Sequence, residues 1–374
     1  VIKHLHIITQ DIPYPADTPI LRDTMNKIMA LNEKGVKIHL HCYAYGKEKP
    51  AILNELCHEV HYYKRNRGHT GFSFPIPYII SSRANHALEE RLSKDNYPII
   101  FEGLHTTFLL RDVTKLRNRK IFVRLHRLES RYYGDLTQIT PFGPQKIYYF
   151  IESMLCRNHE KQILGNVSCI VSSEELSVEL NKIDNEINSQ IIPQFTGRPF
   201  SFYKGGKGNF CLYFGKLSER ENEYTALWLL ENVFSKIDIP FVIAGTDPSS
   251  TLEQAAHLRM HTCLVANPTE KELQDLIKKA QVCLLPSFIS SNTGEHIRES
   301  LILGKHVLTN KKGMKEKELI PICSTALNPE EFIQQTSILF EKEFSEEDHY
   351  KREHVLSNEY NCSNAADQLI RILY

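Results

Sequence analysis

The chain has no surplus of charge: 45 Lys and Arg balance 45 Asp and Glu over 374 residues. Nonspecific nucleic-acid binding needs a large basic excess to neutralise phosphates, so that class is excluded. There is no apolar run of the roughly 18 residues that a membrane-spanning helix requires. The stretch Val1–Gln10 carries Lys3, His4 and His6 where a secretory leader has its apolar core, and a cytoplasmic protein is expected. None of the 9 cysteines takes CxxC spacing, and Cys42, Cys169, Cys211 and Cys283 stand singly in apolar stretches, the pattern of reduced, buried thiols. No GxGxxG follows the first apolar segment; the turn Thr9–Pro15 is stiffened by prolines, which argues against a dehydrogenase. DxD, HExxH and paired Cys/His clusters are missing despite 17 histidines, so neither a protein-held metal nor a bound cofactor is expected.

What is present is an alternation. Residues 4–9, 36–43, 98–101, 119–125 and 167–171 read as short strands apolar on both faces, separated by helical patterns such as 144–164. That describes a parallel, doubly wound sheet. Lys204–Asn209, KGGKGN, lacks the GK[ST] ending of a phosphate loop and precedes a strand, so it reads as a linker. A second alternation starts at once, with strands 210–214, 240–244, 261–265, 282–285 and 306–309. Asn267 is the expected cap of a helix with Pro268 in its first turn. The expected division is an N-terminal Rossmann-like domain 1–195, a linker 196–209, a C-terminal Rossmann-like domain 210–350, and a helical segment 351–374 packing back on the first domain. Ligands of open α/β sheets bind beyond the carboxyl ends of the strands, here in a central cleft faced by both domains.

Four segments place chemistry at such ends. Phe101–Thr107, FEGLHTT, sets Glu102 and His105 after a strand, where they can serve a ligand or merely satisfy one another. Arg124–Tyr133, RLHRLESRYY, follows the next strand with Arg124, His126, Glu129 and Tyr132. In Leu212–Asn222, Gly215 lets a phosphate approach the backbone while Lys216 or Arg220 neutralises it. Asn292–Thr309 contains a helix start, Glu299 one turn further in, and a helix-ending Gly304 before an apolar strand. Helix N-termini attract anions, and Glu299 lies on a face able to reach ribose hydroxyls.

The order and spacing of these segments resemble family 4 glycosyltransferases of the GT-B fold over almost the whole chain, especially bacterial glycosyl and mannosyl transferases. The carrying motifs are EGLH, R-x-H-x-x-E-x-x-Y-Y and G-x-L-S-x-x-E-N. The resemblance implies an α/β GT-B fold of two Rossmann-like domains and transfer of a hexose, with retention, from a nucleoside-diphosphate sugar to an acceptor hydroxyl in polysaccharide or glycoconjugate synthesis. By resemblance His126 faces the transferred sugar, Lys216 stands where the family has Arg before the diphosphate, and Glu299 holds the ribose. Ser291 stands where the family has the first Glu of E-x7-E; Glu295 from a shifted position, or Ser291 and Thr293 with backbone N–H groups ahead of Gly294, are the alternatives for that contact. Glu102, His105, Arg124, Glu129 and Tyr132 fall on the acceptor side. A sugar-nucleotide epimerase and a non-catalytic nucleotide-binding subunit are the rival readings. The half 1–195 is the more basic, with 25 Lys and Arg against 21 Asp and Glu. Its stretch 111–131 and the segment 62–83 suggest a glycan or lipid-linked acceptor, or the membrane surface that carries it; a plain solvated face is the alternative.

Overall fold

A computed structural model of the chain describes residues 2–16, 18–44, 49–116, 119–171, 173–195, 205–289, 294–314, 316–359 and 362–374. The chain divides into two compact units. The first comprises Val1–Gly134, Ile147–Gly197 and Tyr360–Tyr374; the second comprises Asp135–Lys146 and Arg198–Glu359.

The first unit is built on seven parallel strands: β1 His4–Thr9, β2 Lys37–Ala44, β3 Glu59–Lys64, β4 Ile99–Glu102, β5 Ile121–Leu125, β6 Ser168–Val171 and β7 Ser189–Ile191. Their spatial order is β3-β2-β1-β4-β5-β6-β7, so the winding reverses between β1 and β4. That reversal opens a crevice at the carboxyl ends of those two strands. Alternation divides the core. Ile7, Ile100 and Phe122 pack with Met25, Ile28 and Leu31 on one face, while Ile8, Phe101 and Val123 pack with Ile79, Leu88 and Ile163 on the other. The first face is covered by the helix Pro19–Glu33, whose start is fixed by the Thr18 hydroxyl accepting from the Leu21 N–H and by Pro19. Onto the same face docks the terminal helix Cys362–Leu373 through Ala366, Leu369 and Leu373.

Strand β3 reads EVHYYK and lacks the doubly apolar signature of its neighbours. Its pairing completes a chain of buried polar groups. Tyr63 Oη lies 2.8 Å from His41 Nδ1, His41 Nε2 lies 2.9 Å from His6 Nδ1, and His6 Nε2 lies 3.1 Å from the Asp95 carboxylate. Since the carboxylate only accepts, His6 donates from Nε2, His41 donates to His6, and Tyr63 donates to His41. This order holds for neutral rings, and burial makes them so: it pushes the His6 imidazole down to about 4 against the pull of Asp95 and lowers His41 well below its usual value.

The second unit holds six parallel strands: β8 Cys211–Lys216, β9 Phe241–Thr246, β10 Thr262–Ala266, β11 Val282–Leu284, β12 His306–Thr309 and β13 Ser324–Thr325, in the order β10-β9-β8-β11-β12-β13. The winding reverses between β8 and β11. Gly245 is required here, because a Cβ on it would lie 1.9 Å from the Gly215 carbonyl oxygen. Within the expected linker, 196–204 fall outside the described residues, and 205–209 are not a free tether. Gly208 donates to Gln281 Oε1 at 2.5 Å and is pressed so closely on residues 279–281 that no side chain fits. The helix expected to start at Asn267 is capped by Thr269 instead, in a capping box with Glu272. Asn267 adopts φ 53° and accepts the Asp247 N–H at 2.9 Å, a turn role that excludes capping. Residues 351–359 continue the helix Glu346–Glu359 of this unit, which the buried Arg352 ties to the carbonyls of Leu301 and Gly304 at 2.8 Å each. Of the segment 351–374 expected to pack on the first unit, only 360–374 belongs to it.

Candidate functional site

In the first unit, β4 and β5 deliver their side chains to the reversal point by simple alternation. Glu102 follows Ile100 and Arg124 follows Phe122 on the face covered by the helix Pro19–Glu33, and that helix contributes Asp23 and Lys27 one turn apart. All four are buried, at 1%, 1%, 3% and 0% exposure. The Lys27 ammonium lies 2.6 Å from Glu102 and 3.2 Å from Asp23. The Arg124 guanidinium reaches both Asp23 oxygens at 3.1 and 3.2 Å, and the Phe195 N–H donates to Asp23 at 2.7 Å. Two carboxylates thus meet two cations, and the charge is compensated locally.

His126 completes this group, 3.9 Å from Asp23 and 4.0 Å from Glu102. Burial pushes its imidazole down to about 3, against the attraction of Asp23, so the ring is neutral at physiological pH. Among the described residues neither ring nitrogen has a hydrogen-bond partner, and one oxygen of Glu102 is likewise unmatched. Asp23, Glu102 and His126 have the donor types and proximity of a metal site. However, Lys27 already supplies the positive charge between the two carboxylates, and a divalent ion there would face it directly.

A second group lies beyond β4 and β5. Gly103, at φ 75°, turns the chain so that His105 sits 4.0 Å from Glu129. Glu129 pairs with Arg127 at 3.1 Å, and the Arg127 guanidinium lies 3.4 Å over the Tyr132 ring. His105 is held well below the usual imidazole range by burial and by the neighbouring Arg83, Arg127 and Arg65. Among the described residues His105 Nδ1 and one Glu129 oxygen have no hydrogen-bond partner. Orphaned buried polar atoms are costly, so their concentration at one sheet edge marks a place where ligand hydroxyls would be accommodated.

The basic stretch 111–131 does not form one cationic face. Arg124 belongs to the core network, Arg119 is nearly closed off beside Asp95 at 3.5 Å, and Arg127 and Arg131 are paired with Glu129 and Glu179. Arg117 lies outside the described residues. For Arg124 the cause is alternation, since a basic residue inside a strand is turned to whichever face its position dictates.

In the second unit, Gly215 and Lys216 end β8. Lys216 is exposed, 3.8 Å from Glu219, while Arg220 is held by Glu223 at 2.8 Å. Asn222 braces the turn: its amide donates to the Lys216 carbonyl at 3.0 Å and its oxygen accepts from Tyr213 at 3.2 Å. Ser291 and Thr293 lie outside the described residues. Gly294 opens the helix Gly294–Leu303, in which Glu295, Arg298 and Glu299 are all buried. Arg298 is paired with Glu316. A side chain at 294 would meet the Glu316 carboxylate at 2.7 Å, so glycine keeps this helix start open. His296 packs edge-on against Phe214, which brings the helix start to the end of β8. Sequence reasoning missed Asp23, Lys27 and Arg298, and it named Asn222 only as the last residue of the G-x-L-S-x-x-E-N motif; the one signal for the first two was an acid and a base spaced i,i+4 on one helix.

Residues 208–342 match the family model described as Glycosyl transferases group 1. No curated protein matches the chain. Among solved structures it is similar to sucrose-phosphate synthase from Thermosynechococcus elongatus, at 14% identity and TM-score 0.74, covering 99% of this chain and 98% of that one. A glycosyltransferase from Rickettsia africae ESF-5 superposes with TM-score 0.67 at 13% identity over 100% of this chain and 98% of that one. Anabaena Alr3699/HepE in complex with UDP and glucose gives TM-score 0.64 at 12% identity, with 99% of each chain covered. The fold is therefore that of GT-B glycosyltransferases: α/β, with two Rossmann-like parallel-sheet units in tandem.

Proposed function

We propose that the protein is a family 4-like glycosyltransferase that moves a hexose from a nucleoside-diphosphate sugar to an acceptor hydroxyl, with retention, in cytoplasmic synthesis of a surface polysaccharide or glycoconjugate. The observation that carries the reading is the match of residues 208–342 to the group 1 glycosyltransferase model, because it covers the unit holding Gly215, Lys216 and Glu299. The complex of UDP and glucose with a protein of the same fold supports the donor class.

In this reading the donor lies at the carboxyl edge of β8 and β11. Departure of the nucleoside diphosphate builds negative charge, which the exposed Lys216, the N-terminus of the helix Gly294–Leu303, and Arg220 shared with Glu223 meet without a metal. Glu299 accepts from ribose hydroxyls, and Glu295 takes the sugar contact in place of a glutamate at 291. On the first unit, His126 as a neutral imidazole orients the sugar, with Lys27, Asp23 and Glu102 fixing its surroundings. His105, Glu129 and Tyr132 line the acceptor side, where a glycan or lipid-linked hydroxyl is received. The leaving phosphate takes the acceptor proton, so no base with a pKa near neutrality is needed.

The test is a thermal-shift screen of nucleoside diphosphates and their sugars, followed by assay of the stabilising sugar nucleotide with and without acceptors. Acceptor-dependent release of nucleoside diphosphate is expected. Consumption of the sugar nucleotide without any acceptor, or stabilisation by no nucleotide, would overturn the proposal.

A further inference from the structure

The helix Pro144–Leu164 is inverted relative to an ordinary surface helix. Its two acidic residues, Glu152 and Glu160, are both 1% exposed. Glu152 accepts the Ile79 N–H at 2.9 Å, and Glu160 accepts from the Ser130 N–H at 3.1 Å and from its hydroxyl at 2.5 Å. Meanwhile Ile147, Phe150, Ile151 and Met154 stand 51%, 56%, 44% and 55% exposed. Their spacing of i, i+3, i+4 and i+7 makes a single apolar stripe on the outward face. The inward face is separately satisfied, with Cys156, Ile163 and Leu164 in the core, so the outer stripe is not needed for packing.

Two more exposed rings stand on a loop tied to this helix. Ile79, hydrogen-bonded to Glu152, closes the loop that carries Phe72 and Phe74, which are 56% and 73% exposed. Further along the same helix the exposed face bears Arg157 and Lys161, and from 147 to 162 it bears no acidic residue. Soluble monomers seldom leave a contiguous apolar patch uncovered.

We propose that this face docks the protein on an anionic lipid membrane, with Ile147, Phe150, Ile151 and Met154 entering the acyl boundary beside Phe72 and Phe74, and Arg157 and Lys161 meeting lipid phosphates. Charge decides between occupants. A second copy of the chain would bring the same cations and no acid to meet them, whereas an anionic headgroup layer complements them. The inference is independent of the transfer reaction proposed above, since it invokes none of the groups placed in that site.

The full chain is to be sedimented with phosphatidylcholine vesicles, with and without phosphatidylglycerol, at low and high salt. Binding is expected only with phosphatidylglycerol and is expected to weaken in salt. Phe150→Ser combined with Ile151→Ser should lower the partition coefficient at least tenfold, whereas Val178→Ser, at an exposed apolar position on another helix, should leave it unchanged. Arg157→Gln with Lys161→Gln should remove the phosphatidylglycerol preference, and this second pair keeps the test decisive if the first variant is misfolded by circular dichroism. Absence of binding to every vesicle, or equal binding by wild type and both variants, overturns the proposal. So does sedimentation velocity without vesicles that reveals a dimer dissolved by Phe150→Ser with Ile151→Ser.

Discussion

Replacing Lys27 by Met removes the cation that stands between Asp23 and Glu102. The methionine fills most of the lysine's volume, so the loss is electrostatic rather than a cavity. Glu102 then loses the ammonium at 2.6 Å, while Asp23 keeps Arg124 at 3.1 Å. With these side chains 0 to 3% accessible, solvent gives little relief. Breaking one partner out of a buried ion pair costs about 3 to 5 kcal/mol, because a bare charge stays behind. For the first unit, of about 200 residues, that corresponds to a fall in Tm of roughly 6 to 20 °C. The companion variant tests the cause. Combining Lys27→Met with Glu102→Gln removes the stranded charge as well, so the double variant should recover at least about 2 kcal/mol relative to the sum of the singles. Urea unfolding of the four proteins measures this cycle. A cost below about 1 kcal/mol for Lys27→Met, or strict additivity in the double variant, would refute the argument and return the site between the carboxylates to consideration as a metal centre.

Other consequences are open to direct measurement. Glu299→Gln should weaken nucleotide binding by roughly 1.5 to 3 kcal/mol, the worth of charge-assisted bonds to ribose, with unchanged affinity by calorimetry counting against the assignment. Lys216→Ala should reduce affinity for a nucleoside diphosphate more than for the nucleoside; equal losses would make the lysine structural. Transfer should persist in excess chelator, and complete inhibition reversed by added metal would reject metal independence. The folded pKa of His6 is lowered from 6.5 to about 4, so the unfolded chain binds the extra proton. Stability from this group is full above pH 6.5 and is lost as pH falls toward 4, by about 3 kcal/mol at most; urea midpoints across that range that do not move would show that the Tyr63–His41–His6–Asp95 chain is not held neutral.

The strands of both sheets could be read from the sequence because a parallel sheet covered on both faces demands short, continuously apolar runs, and few other structures do. The edge strands β3, β7 and β13 escaped for the same reason: β3 has histidine, tyrosine, glutamate and lysine in six residues, β7 and β13 are three and two residues long, and only pairing with a neighbouring strand reveals them. At the site, positions were legible but roles were not. Glu102, Arg124 and His126 were each singled out by lying at strand ends, and the structure gathers all three, but Arg124 spends its charge on Asp23 from a helix a hundred residues earlier. Local reading cannot assign a partner at that separation. Nor does the helix pattern announce them: Asp23 and Lys27 lie on the flank of the stripe Leu21, Met25, Ile28 and Leu31, which reads as solvated until the sheet covers it and each must find an opposite charge inside. The helix Pro144–Leu164 carries the complementary lesson. Its glutamates look like the solvated face and Ile147, Phe150 and Ile151 like the core, and the structure assigns them the other way round because Glu152 and Glu160 find backbone donors inside. Amphipathic periodicity fixes that a helix has two faces; which face turns inward is decided by the hydrogen-bond partners available there.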